Sequence, residues 1–329
     1  MNVAVFSCKP YDKRTLATFA NDKALSMSYF ESRLSMETIS LVQGFDAVSC
    51  FVNDDINAKV IHLLKQQGVK TIALRCAGFN NVDLDAAKKE GIKVFHVPDY
   101  SPTSVAEHAV ALIMTLNRKT HRAYHRVKEG NFALEGLMGF NLAGKTVGCI
   151  GTGRIGAAFC RIMKGFGCKV LCYDLYPSQA LIDQGCQYLT LDEIYQQSDI
   201  ISLHCPLNES THHLINKHSL EKMKDGVMII NTSRGALVHA QEAIDALYSG
   251  KIGYLGLDVY EQENKIFFED MSSHIIQDSV FQLMLTFPNV VVTGHQGYFT
   301  IEALNHIAET TVDNLLHHQS DSSGARQLA

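Results

Sequence analysis

The sequence predicts an α/β protein of two domains, each built around a parallel sheet. Three observations carry this. With 329 residues the chain is longer than one hydrophobic core usually organises. Short apolar runs alternate with helix-spaced segments along most of its length. The alternation breaks once, near Pro98, and then resumes. Composition is that of an ordinary globular protein, 46% hydrophobic and 19% charged. A net charge of −5 without a basic block argues against nucleic acid or an anionic membrane as partner. No apolar run reaches the roughly 18 residues of a membrane span. MNVAVFSCKP lacks a basic leader region and reads as a first strand rather than a signal peptide. Nine cysteines, scattered and without a CxxC pair, predict neither a disulfide nor a zinc framework. That usage suits a reducing cytoplasm.

Residues 1–100 hold five strand candidates: Val3–Phe6, Ser26–Phe30, Ala47–Phe51, Thr71–Arg75 and Lys93–Val97. Helical spacing between them, as in Ala58–Gln67, gives a small parallel α/β unit. At Ser101-Pro102 a helix starts with Pro in its first turn and runs to about Asn117 as a connector. Its apolar face (Val105, Ala109, Leu112, Ile113) suits a dimer interface, so a homo-oligomer is expected. Asn131–Gly144 reads as a loop carrying Phe132, Leu134, Leu137 and Phe140 into the second domain. Six further apolar runs follow: Val147–Ile150, Val170–Tyr173, Ile200–His204, Val227–Asn231, Tyr254–Val259 and Val290–Thr293. Separated by helices, they predict a doubly wound parallel sheet. Residues 262–288 make a long connection, expected to be a partly helical lid or packing arm. A final amphipathic helix, Phe299–His318, can return to the first lobe, which makes that lobe discontinuous. The expected domains are therefore 1–100 with 300–329, and 101–299. Residues 319–329 are polar and expected to be mobile.

The stretch Lys145–Asp174 is the most specific in the chain. A short apolar run leads into Gly151, Gly153 and Gly156, spaced G-x-G-x-x-G. A helical segment and a second apolar run follow, ending in Asp174. Strand, turn, helix, strand and acid together form the dinucleotide-binding fingerprint of a Rossmann-type unit. Gly151 permits the turn, Gly153 the approach of a pyrophosphate, and Gly156 close helix–strand packing. The helix N-terminus offers free N–H groups to the phosphates. Asp174 can accept from both ribose hydroxyls and would repel a 2′-phosphate, which predicts NAD rather than NADP.

Ligands of such sheets bind beyond the carboxyl ends of the strands. That rule selects Arg234 after the fourth run, Asp258, Glu261 and Glu263 after the fifth, and His295 after the sixth. A hydroxy-acid dehydrogenase needs these groups. It needs a guanidinium fork for the substrate carboxylate, an imidazole to exchange the hydroxyl proton and a carboxylate to orient that imidazole. Position alone does not separate Glu261 from Glu263. His121 and His125, and His212-His213 with His218, have no third ligand on an obvious neighbouring element. They read as solvated faces, and no metal is expected.

IGTGRIG, NTSRGALV, LDVYEQE and TGHQGYFT, in that order, with RCAGFNNVDLDAA and VPDYSPTSVAEHA before them, resemble the D-isomer-specific 2-hydroxyacid dehydrogenase family over nearly the whole chain. The resemblance implies a Rossmann-type NAD domain and a smaller flavodoxin-like substrate domain, with the active site in the cleft between them. It makes Arg234 the carboxylate anchor, Glu263 the partner of the catalytic imidazole and His295 the proton donor. Ala77 and Gly78 become backbone donors to substrate, and Tyr100 matches a hinge position that contacts it in lactate-type members. With Tyr298 and Phe299, Tyr100 suggests an aromatic pocket for a short 2-oxo acid, pyruvate first. Arg154, Ile155, Cys205, Pro206, Thr211, Thr232 and Ser233 would line NAD, and Asp258 would face its nicotinamide end. Gly297 departs from the family's usual small residue, such as Ala, and implies a roomier pocket. Longer 2-oxo acids and a non-catalytic NAD-sensing role are the alternatives.

Overall fold

The structure is a computed structural model describing residues 1–21, 23–263, 266–316 and 326–329. These form two compact units, Met1–Ser101 with Phe299–Ala329, and Pro102–Tyr298.

In the first unit, five short strands pair in parallel: β1 (Asn2–Val5), β2 (Ser26–Tyr29), β3 (Ala47–Cys50), β4 (Thr71–Leu74) and β5 (Lys93–Phe95). Their order is β2-β1-β3-β4-β5, the flavodoxin-like arrangement. Every residue of β3 and β4 is buried, as expected of strands covered on both faces. The helix Ile301–Leu316 belongs to this unit and packs Ala308, Val312 and Leu315 against Val3, Val5 and Leu16. The expected helix end at 317–318 lies outside the described residues, as do 319–325 of the tail. The final four residues contradict the expectation of mobility. Leu328 N–H donates to Val94 O at 2.7 Å, Val94 N–H to Ala329 O at 3.1 Å and His96 N–H to Arg326 O at 2.9 Å. They thus pair antiparallel against β5, and Leu328 packs on the core. Polar composition concealed this because the pairing uses backbone groups.

The second unit holds β6 (Thr146–Ile150), β7 (Lys169–Tyr173), β8 (Gln187–Tyr188), β9 (Ile200–Leu203), β10 (Val227–Asn231), β11 (Ile252–Leu257) and β12 (Val290–Val292). All pair in parallel in the order β12-β11-β10-β9-β6-β7-β8. The order reverses between β6 and β9, the switch point at which a doubly wound sheet opens a ligand crevice. The two-residue β8 was not expected, since it is too short and polar to show periodicity.

Two expectations about this unit fail. The helix Pro102–Arg118 is no bare connector. Val105, Ala109, Leu112 and Ile113 are all buried within the chain, the last three in one core with Val147, Phe159, Met163 and Ile230. The four residues read as an outward face are therefore covered by the chain itself. Conversely, the loop after the helix Thr120–Lys128 carries only part of its apolar set inward: Phe140 packs against that core and Leu137 is half-buried, but Phe132 and Leu134 are 74% and 80% exposed. Beyond Gln262, the long connection is a packing arm. Phe267 and Phe281, the latter on the helix Ser279–Thr286, join a large core, and the Tyr260 ring packs tilted against Phe281 with centroids 4.8 Å apart.

Arg75 follows β4 and is 2% exposed. Its Nη1 donates to Ser49 O at 3.0 Å and Oγ at 3.2 Å, and its Nη2 to Phe6 O at 2.8 Å and Ser7 O at 3.3 Å. One guanidinium thus ties the ends of β1, β3 and β4 together. Burial works against its charge, but Asp12 and Asp54 outweigh it and hold the pKa above its usual value. Arg75→Met removes the cation while leaving Asp54 and those carbonyls buried. It should cost about 3–5 kcal/mol, read as a lower thermal midpoint and faster proteolysis in residues 1–101. An unchanged midpoint would mean that the strand ends do not depend on this side chain.

Candidate active site

The glycine turn follows β6 directly. Gly151 has φ +92°, and a Cβ there would lie 2.5 Å from Cys205 N, so the chain after β9 passes hard against the turn. At Gly156 a Cβ would collide with Gly151 O. Gly153 caps the helix Arg154–Gly165 and has nothing within 4 Å of where its Cβ would be. The three glycines therefore differ: two are needed by internal packing, and the third leaves room before a helix N-terminus that begins with Arg154 and Ile155. Asp174 lies just past β7. Its Oδ2 accepts from Thr152 N at 2.6 Å and Thr152 Oγ1 at 3.2 Å, and its Oδ1 from Tyr176 N at 2.9 Å. Tyr188 Oη, on β8, donates to Thr152 Oγ1 at 2.7 Å. The acid is thus fixed beside the turn by the neighbouring strand.

Two further loops complete this edge. Thr211 Oγ1 donates to Pro206 O at 2.7 Å, closing the loop after β9, and Ser233 Oγ donates to Cys205 O at 2.7 Å, joining it to the loop after β10. Thr232 Oγ1 is buried with no hydrogen-bond partner, an orphan that a bound polar group could satisfy. Open space at Gly153, a fixed acid at the end of β7 and this orphan hydroxyl all fit a dinucleotide.

Arg234, Asp258 and His295 issue from three adjacent strands whose ends are in register, Asn231 with Leu257 and Leu257 with Val292. Arg234 and His295 each lie three residues past such an end, and those ends are two strand steps apart, roughly 10 Å. Gly235, next to Arg234, packs so closely on the chain at Tyr260 that a Cβ there would clash with it. Glu263 lies three residues beyond Tyr260. Its Oε2 accepts from Tyr260 N at 2.9 Å and its Oε1 meets His295 Nδ1 at 2.9 Å. Glu261 instead pairs with His213 Nε2 at 2.7 Å. The geometry therefore separates the two acids that position alone left equivalent.

His295 has φ +54°, a conformation uncommon outside glycine and found at functional sites. Asp258 holds it there. His295 N–H donates to Asp258 O at 2.8 Å. The Asp258 carboxylate accepts from Gln296 N at 2.8 Å, Gly297 N at 2.7 Å and Thr293 Oγ1 at 2.5 Å, with His108 Nε2 at 3.2 Å. Burial alone would raise the Asp258 pKa, but these bonds, led by His108, bring it below the usual value. A Cβ at Gly297 would meet Asp258 Oδ2 at 3.0 Å and His108 at 3.5 Å. The absent methyl thus faces the Asp258–His108 pair, which corrects the expectation of a roomier pocket.

Of the remaining candidates, Tyr298 is buried in the second unit. Ala77, Gly78, Tyr100 and Phe299 belong to the first. Ala77 O meets His96 Nδ1 at 2.9 Å, Cys76 Sγ donates to Gly78 O at 3.2 Å, and Phe299 packs edge-on to Tyr11 at 4.7 Å.

Residues 110–297 match the family model for the D-isomer specific 2-hydroxyacid dehydrogenase NAD-binding domain. The chain is 52% identical over 315 residues to a D-lactate dehydrogenase of Escherichia coli, covering 96% of each. This chain belongs to that family. Among solved structures, the pyruvate reductase of Chlamydomonas reinhardtii aligns with TM-score 0.93 at 46% identity, over 99% of this chain and 97% of that one. A D-lactate dehydrogenase of Aquifex aeolicus complexed with NAD and lactic acid aligns with TM-score 0.87 at 35% identity, over 99% of each. The chain is thus an NAD-dependent 2-hydroxyacid dehydrogenase, and NAD is its cofactor.

For this dehydrogenase the sequence reading missed His108 and Thr293. The two are 185 positions apart and meet at 3.0 Å, and no local pattern signals such a pair. Phe268, whose ring lies 5.7 Å from that of His295, was likewise missed as a site neighbour. Asp258→Asn tests the support of the turn. An amide has one acceptor oxygen, so one of the N–H groups of Gln296 and Gly297 would face an NH2. The expected cost is about 1–3 kcal/mol, read as a lower thermal midpoint, with turnover falling as His295 loses its fixed backbone. Wild-type values of both would show that the carboxylate does not hold the turn.

Proposed function

We propose that this chain reduces pyruvate to D-lactate, reversibly, with His295 as proton donor and Arg234 as carboxylate anchor. The observation that carries the reading is the 2.9 Å bond between His295 Nδ1 and Glu263 Oε1, placed at the strand edge that also carries Arg234. Bound NADH supplies the hydride that adds to C2 of the 2-oxo acid. Protonated His295 gives its Nε2 proton to the carbonyl oxygen, so that hydride and proton together convert C=O to CH–OH. Glu263 occupies Nδ1, which leaves Nε2 for substrate and stabilises the imidazolium. Arg234 grips the carboxylate with its fork and polarises the carbonyl beside it.

In this reading Ala77, Gly78, Tyr100, Tyr298 and Phe299 contact the substrate. Gly151, Gly153, Arg154, Ile155, Gly156, Asp174, Cys205, Pro206, Thr211, Thr232, Ser233 and Asp258 serve the cofactor. The names of the Escherichia coli, Chlamydomonas and Aquifex relatives support a short substrate. The exposed apolar set Tyr124, Val127, Phe132, Leu134 and Met138 supports association into a homo-oligomer, since patches of this kind mark interaction sites. The reading is of a cytoplasmic enzyme acting on small molecules; among the described residues no helix is long and apolar enough to cross a membrane.

Steady-state oxidation of NADH with pyruvate, 2-oxoisocaproate and phenylpyruvate, with the product enantiomer determined, tests the reading. The highest kcat/KM is expected on pyruvate, giving the D product. Preference for a longer acid would replace the substrate assignment, and no turnover on any would leave a nucleotide-sensing protein. His295→Gln should lower kcat by about 10²–10⁴ with NADH binding intact, and Arg234→Lys should raise KM and lower kcat together because a point charge cannot reproduce the fork. Near-normal kinetics in either variant would remove that residue from its role.

A further inference from the structure

A group of polar side chains lies outside the site just described. His213 Nε2 meets Glu261 Oε1 at 2.7 Å. One ligand nitrogen of His212 completes a set of three donor atoms all within 4.8 Å of one another. The rings of His212 and His213 are 3.8 Å apart, and the ring of His239 is 4.6 Å from His213. The sequence offered two adjacent histidines without a third ligand; the fold supplies Glu261 from the turn after β11.

The backbone prepares this arrangement. In an extended segment, consecutive side chains point to opposite faces. His213 instead has φ +50°, which lets the rings of 212 and 213 face each other. That conformation is fixed by His213 N–H donating to Ala236 O at 2.8 Å and by Asn216 Nδ2 donating to His213 O at 2.8 Å. Ile215 N–H to Leu237 O and His239 N–H to Ile215 O, each 2.9 Å, continue the seam. The donors therefore sit on pinned backbone, and all three side chains are accessible: His212 and Glu261 are exposed and His213 partly so.

We propose that His212, His213 and Glu261 form a binding site for a divalent transition-metal ion of the zinc class. Two imidazole nitrogens and one carboxylate oxygen suit borderline ions such as Zn²⁺, Ni²⁺ and Co²⁺. Three protein ligands leave a fourth position for water. The ion replaces the hydrogen bond between His213 and Glu261, with bonds of about 2.0–2.2 Å reached by side-chain rotation alone. Its binding clamps the loop after β9, which carries Cys205, Pro206 and Thr211, to the turn that leads to Glu263.

Among the described residues the competing cluster is the buried trio Cys160, Cys172 and Cys186, whose donors are all sulfur. Protein stripped with EDTA is titrated with Co²⁺ followed by visible absorption and with Zn²⁺ followed by calorimetry. One ion per chain is expected, with weak ligand-field bands and no intense sulfur-to-cobalt charge-transfer band. Zn²⁺ should raise the thermal midpoint of the unsubstituted protein, as any ligand of the folded state does. His212→Ala and Glu261→Gln, both on exposed side chains and checked for folding by circular dichroism, should each weaken binding by at least about tenfold. His125→Ala should leave it unchanged. Absence of binding, affinity unaltered in both ligand variants, or a strong charge-transfer band placing the ion on the thiols would each overturn the proposal.

Discussion

The buried carboxylate of Asp258 is the constraint on which the candidate site depends. It lies at the end of β11, between the strands that deliver Arg234 and His295, and it accepts bonds from both backbone N–H groups that follow His295. Without such an acceptor the buried Gly297 N–H would be unpaired, and a non-glycine residue with positive φ would have no reason to stay there. Asp258 in turn needs donors to remain ionised in the interior. Thr293 comes from its own neighbourhood, and His108 from a helix that the fold packs across the sheet. The proton-transfer candidate is thus positioned by a chain of polar contacts that begins far from it in sequence.

Parallel topology accounts for the rest of the convergence. Strands running the same way in register deliver every loop that follows a strand to one edge, so residues separated by tens of positions arrive side by side without specific contacts to bring them there. Glycine does the same for loops at different strands. At Gly151 the absence of a Cβ lets the glycine turn touch the loop after β9, and at Gly235 it lets the Arg234 loop touch the turn after β11, each through backbone. Family membership agrees with a nucleotide bound by this domain.

Much of this was legible because it is local. Apolar runs such as Val147–Ile150 and Val227–Asn231 bury nearly every side chain and so announce themselves. The spacing of Gly151, Gly153 and Gly156 carries its own mechanism. What stayed hidden was non-local or carried by backbone. His108 looks like any polar residue on a helix until Asp258 is placed beside it. The apolar face of Pro102–Arg118 reads equally well as an outer surface or as core, and only its packing against Phe159 and Met163 decides. Glu261 and Glu263 are told apart by which imidazole each can reach.

The last four residues have a consequence for handling the protein. By pairing with β5 they cover the outermost strand of the first sheet, whose amide groups would otherwise template pairing with another chain. Leu328 also seals the core beneath. An affinity tag fused directly after Ala329 would pull on this clasp, and a deletion of the terminal segment would leave a bare, adhesive rim, so a tag is better carried elsewhere on the chain.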